Sequence, residues 1–147
     1  MSLRLVGLDP SGRIEKEIAR IDAIYRDRVL EQRVRQVALM GRKCQPRMMY
    51  TFLGFELKLG RKRVTCPDIS TARYLMIFAE IGLERVQIPY DPSQTARLLP
   101  ELESCFAEIK TLLLKMSPDS ERHQILARRV YAILRKRLQA AEQGNPG

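Results

Sequence analysis

Leu53, Phe55, Leu57 and Leu59 alternate with Gly54, Glu56 and Lys58, in a chain whose other apolar residues mostly recur every three or four positions. A period of two commits this stretch to a β-strand with one apolar face. A lone strand leaves its backbone unpaired, so a sheet must be built into an otherwise helical chain. Leu59-Gly60-Arg61-Lys62 supplies the pairing as a two-residue hairpin turn, with glycine where positive φ is demanded. Val64 and Cys66 then face inward on a return strand that Pro67 stops. The predicted hairpin carries Lys58, Arg61, Lys62 and Arg63 around its tip, and Tyr50 and Phe52 are placed on the face of Glu56 and Lys58, packed under a neighbouring helix.

Helical periods flank the hairpin. Asp9-Pro10-Ser11-Gly12 opens a first helix whose stripe is Ile14, Ile18, Ile21 and Tyr25. Beyond Arg28 the apolar set Val29, Leu30, Val34, Val37 and Met40 drifts off that stripe. The spacing predicts one long or bent helix ending at Gly41, with a loop at Pro46 and an exposed face available to a second copy. After the hairpin, Asp68 or Ser70 caps a helix running to Glu80 or Ile81, and Gly82 stops it. Val86-Gln87-Ile88 forms a short strand. Asp91-Pro92 starts a helix that Pro100 is expected to break or kink, the remainder running to Met116. Ser117-Pro118-Asp119 starts the last helix, from Pro118 to about Gln143. The expected fold is α+β: a mostly helical single domain, residues 1–143, with a small two- or three-stranded sheet and a disordered tail at 144–147.

Charge is distributed unevenly along this order. Residues 13–63 hold 14 basic and 6 acidic side chains, residues 64–121 hold 5 and 9, and residues 122–147 hold 6 and 1, within a total of +9. Between Arg33 and Arg63 there are nine cations and one carboxylate, Glu56. A field of that density attracts polyanions, although an excess of cations also simply solubilises a small domain. On the last helix the apolar residues Leu126, Val130, Ile133, Leu134, Leu138 and Ala141 share one arc, and Arg128, Arg129, Arg135 and Lys136 lie outside it. Arg137 falls within the apolar arc and is expected to snorkel from it.

Motifs for chemistry are scarce. His123 is the one histidine, sits on the charged side of the last helix, and has no Gly-x-Ser-x-Gly partner motif. Cys44, Cys66 and Cys105 have neither metal-finger nor disulfide-framework spacing, so reduced thiols and a cytoplasmic setting are expected, with no cofactor. No phosphate-binding glycine loop is present. No apolar run approaches a membrane span, and no secretory signal is visible at the amino terminus. Glu56 and Lys58 share one strand face, the arrangement that metal-dependent nucleases use, but no Asp or Glu lies between Glu31 and Glu56 to supply the second ligand.

The expected function is non-enzymatic binding of DNA or RNA, mainly through phosphates. Arg42, Lys43, Arg47, Lys58, Arg61, Lys62 and Arg63 would form the main surface, extended by Arg128, Arg129, Arg135 and Lys136. A protein-interaction module that forms a homodimer through the first helix is the alternative, and a metal-dependent nuclease the third reading. No membrane partner is expected.

Overall fold

A computed structural model describes residues 10–40, 45–52, 54–117 and 119–144. In chain order its elements are α1 (Pro10–Ile24), a π-turn (Tyr25–Val29), β1 (Val34–Ala38), β2 (Pro46–Thr51), β3 (Gly54–Leu59), β4 (Lys62–Cys66), α2 (Ile69–Ile81), β5 (Arg85–Pro89), α3 (Pro92–Met116) and α4 (Ser120–Glu142). This is a mostly helical α+β fold with two small antiparallel sheets: a meander in the order β2-β3-β4, and a ribbon of β1 and β5.

α1 buries Ile14, Ile18 and Ile21, as their spacing predicts, but it does not continue to Gly41. Its last turn widens, with Leu30 N–H bonding to the Tyr25 carbonyl at 2.9 Å. The chain then leaves as β1. Val34 and Val37 are therefore strand residues, and their drift from the first stripe is a change of period. β1 pairs with β5, Val34 opposite Pro89 through Ala38 opposite Arg85. Bonds from Leu39 N–H to the Glu84 carbonyl and from Tyr90 N–H to the Arg33 carbonyl extend the ladder at both ends. The strand predicted around Val86 thus joins a separate ribbon and not the hairpin.

The β3–β4 hairpin forms as its alternation requires, with Gly60 at φ 63° in the turn. Pro46 opens a strand in place of the expected loop. Proline is tolerated at the first residue of an edge strand, where its missing N–H breaks no ladder bond. Leu57, Leu59 and Cys66 are buried on the face that meets α2.

α2 is capped by Asp68, whose carboxylate accepts from Thr71 N–H at 2.7 Å, and is stopped by Gly82 at φ 97°. It is buried on nearly every side because it contacts the meander as well as α3 and α4. α3 runs unbroken through Pro100. Proline removes the bond to the Ala96 carbonyl, and both residues are exposed, so the missing bond falls on the solvent side of the helix. α4 packs through Val130, Leu134, Leu138 and Ala141. A fully buried leucine such as Leu134 contributes about 1.5–3 kcal/mol. Among the described residues, no helix is long and apolar enough to cross a membrane.

Candidate nucleic-acid interface

Strand register decides which cations meet. Residues directly opposite in an antiparallel sheet share a face, with Cα atoms about 4.5–5.5 Å apart. Arg47 lies opposite Lys58, and Lys58 opposite Arg63. These three cations, drawn from three strands, form one row about 10 Å across the solvent-facing side of the meander. Arg61 is exposed in the adjoining turn. The neighbouring row is Met49, Glu56 and Thr65, so among the described residues Glu56 is the one carboxylate on this face. It lies 3.7 Å from Arg63, is 17% exposed, and its Oε1 accepts no hydrogen bond. Among the described residues, Arg47 and Lys58 have no carboxylate within ion-pair distance.

Lys62 goes elsewhere. By strand parity it opposes Leu59 on the inner face, and its Nζ donates to the Ala38 carbonyl at 3.1 Å. It ties the meander to the end of β1 and is not part of the outer row. Arg42 and Lys43 lie outside the described residues, as do Gly41, Cys44, Leu53, Pro118 and the 145–147 part of the tail.

The α4 cations divide as well. Arg128, Arg129 and Lys136 are exposed. Arg135 donates to the Ile81 carbonyl at 2.8 Å, closing the C-terminal end of α2. Arg137 does reach the surface from the apolar arc, with its side chain 43% exposed, and its Nη2 is 3.0 Å from Asp22 Oδ2, a carboxylate 7% exposed that Arg26 also holds at 3.0 Å. α4 is held by α1, α2, α3 and the π-turn, and the meander by α2. The α4 cations therefore belong to a different layer from the sheet row.

Tyr50 and Phe52 also differ from expectation. Tyr50 opposes Phe55, in edge contact at 5.2 Å, on the face opposite Glu56 and Lys58. Neither is covered by a helix: Tyr50 is 80% and Phe52 fully exposed. The aromatics and the cation row thus sit at opposite ends of β2.

A second polar system lies at the junction of the π-turn, β5 and α4. The Tyr25 hydroxyl accepts from Gln87 N–H at 2.9 Å and donates to Glu142 Oε2 at 2.5 Å, while the Tyr74 hydroxyl donates to the Gln87 carbonyl at 2.6 Å. Burial, then the Glu142 carboxylate, push the Tyr25 phenol far above its ordinary value, and burial does the same to Tyr74. Beside it opens a groove of about 1080 Å³ whose wall mixes Asp27, Glu31, Glu84 and Glu142 with Arg26 and Arg85. With both signs interleaved, it offers no concentrated charge to a ligand.

His123 is half-buried, and its Nδ1 has no partner among the described residues. Cys66 and Cys105 are buried free thiols. Burial raises both, Cys105 to about 11, which suits packing and not nucleophilic attack. No three His, Cys, Asp or Glu residues among those described gather closely enough to hold a metal. The sequence reading missed the Tyr25 and Asp22 networks. A carboxylate at Asp22, beside Ile21 in an apolar stripe, was the available signal for the second. Comparison with family models, curated proteins and solved structures gives no match.

Proposed function

We propose that this chain binds the phosphate backbone of nucleic acid through the outer face of the meander, with Arg47, Lys58 and Arg63 as the contact row and Arg61 at its margin. The observation that carries this is the alignment of three cations across three strands with a single half-buried carboxylate nearby. Placing like charges directly opposite one another is unfavourable, by up to about 0.8 kcal/mol per pair in water at about 5 Å. A surface that only needs to be soluble scatters its charges. A row that is repulsive when free and neutralised when bound is what a polyanion site looks like. Contacts of this kind position a backbone without reading bases, so a non-enzymatic, sequence-tolerant binder is the corresponding activity.

The test is fluorescence anisotropy with a short labelled single strand and a short labelled duplex, of a length that the sheet row alone spans. Three phosphate contacts predict a loss of about 20- to 40-fold in affinity between 50 and 200 mM salt. Exchanging Arg47, Lys58 and Arg63 together for glutamine removes most of that slope, whereas Arg128→Gln with Arg129→Gln preserves it. Absence of binding at 50 mM salt, or a slope unchanged in the triple variant, refutes the proposal.

A further inference from the structure

We propose that β2 is a self-pairing edge, through which two copies of this chain join their meanders into one six-stranded sheet. Among the described residues β2 has one neighbouring strand, β3, so its other edge, at Met48 and Tyr50, faces no strand. The apolar surface of this edge is concentrated within five residues: Met48 and Met49 are 40% and 37% exposed, Tyr50 80% and Phe52 103%. An aromatic side chain presents on the order of 150–250 Å². With the two methionines and the strand backbone, two copies bring together on the order of 1,000 Å², the threshold for a specific interface.

The register identifies a second copy as the occupant. A two-fold axis normal to the sheet at Met49 keeps each face continuous, because it pairs positions of equal parity. Met49 then meets Met49 of the other copy, Met48 meets Tyr50, and Arg47 meets Thr51. The thioether of Met48 lies against a phenol ring, a favourable contact, and no cation faces a cation across the seam. This edge differs from the first-helix surface that the sequence suggests, which α1 no longer offers, because it ends at Ile24.

The salt response separates this proposal from nucleic-acid binding. Two copies at +9 repel, so screening strengthens dimerisation, whereas salt weakens phosphate contacts. Sedimentation equilibrium of the full chain should show association of the 17.0 kDa chain into dimers, more complete at high than at low salt. Met49→Lys places two ammonium groups together on the axis and should raise the dissociation constant at least about tenfold, with far-UV circular dichroism unchanged. Independently, Met49→Cys in a Cys44→Ser background should give a disulfide-linked dimer under mild oxidation, since opposed Cα atoms fall within disulfide range. Lys58→Cys in the same background, on the same face but one strand away from the seam, should not. A chain that stays monomeric at about 100 μM in high salt overturns the proposal, as does a dimer indifferent to Met49→Lys with no Met49→Cys cross-link.

Discussion

Replacing Tyr25 with phenylalanine tests whether its hydroxyl joins the ribbon to the helical layer. The ring is fully buried and contacts Phe78 at a centroid distance of 5.7 Å, so phenylalanine keeps the packing and removes one oxygen. Two partners lose by it. Gln87 N–H, on a buried stretch of β5, is left without its acceptor, at about 1–3 kcal/mol. Glu142 loses a donor to a charged acceptor, worth about 1.5–3 kcal/mol when buried, but the residue is half-exposed and water recovers part of that. The expected loss is about 2–4 kcal/mol. With an unfolding entropy near 2.1 cal/mol/K per residue, that is a fall in Tm of about 6–13 °C. Urea titration followed by circular dichroism measures it. Tyr131→Phe is the control: its hydroxyl makes no hydrogen bond among the described residues, so a change under about 0.5 kcal/mol is expected. Equal effects at the two positions, or a Tyr25→Phe loss under about 0.5 kcal/mol, would show that the hydroxyl does not carry the junction.

Two further outcomes follow from the same interior. Tyr25, Tyr74 and Tyr131 all have raised phenol pKa values, Tyr131 to about 12, so the folded state prefers them protonated. Their stabilisation is complete below the ordinary phenol value near 10 and declines as pH rises above it. Tyrosinate absorbance of the native chain at about pH 10.5 should stay well below that of the urea-unfolded chain, and identical titrations would contradict the burial. At Asp22, alanine removes a carboxylate shared by Arg26 and Arg137. Both arginines are about 40% exposed and rehydrate, so the expected loss in urea titration is modest, about 1–2 kcal/mol. A loss above about 4 kcal/mol would mean the guanidiniums are stranded without water.

The parts of this fold that local chemistry specifies were readable in the chain. Alternation fixed the β3–β4 hairpin, Asp68 and Gly82 bounded α2, and Asp91-Pro92 opened α3. What was not readable depended on residues far away in sequence. Val29, Leu30, Val34, Val37 and Met40 fit helical spacing well enough to continue α1, and only pairing with β5, about 50 residues later, makes Val34–Ala38 a strand. β2 shows no alternation because its residues are exposed on both faces, the condition in which period two disappears. Pro100 signals a break locally, yet α3 continues through it on an exposed face, where losing one backbone bond is tolerated. In the basic region, parity could have placed Lys62 beside Val64 and Cys66, away from Arg63. The row through Arg47 needed a strand that only the three-dimensional structure supplies.

The acidic middle of the sequence raises the question of whether folding cancels the basic block that precedes it. It does so selectively. Glu101 meets Arg20 and Arg28, Glu108 meets Arg13, Glu103 meets Arg73, and Glu80 meets Lys110. These carboxylates sit on α2 and α3, and α3 packs along α1, so they neutralise cations of the helical layer. Arg33 is occupied with the Tyr90 ring at 4.2 Å, and Lys62 and Arg135 with backbone carbonyls. None of these arrangements reaches the outer face of the meander, where Glu56 is the single carboxylate among the described residues. Folding therefore pairs many cations of the helical layer with carboxylates and leaves exposed cations on the outer face of the meander and on α4, as well as Arg35 and Arg85 on the β1–β5 ribbon. The sheet row and the α4 cations are carried by different elements, both in contact with α2, so one phosphate chain engaging both has to be long enough to span the two. Substitutions on α4 should consequently alter affinity for long strands while leaving short ones, which the sheet row alone can hold, unaffected.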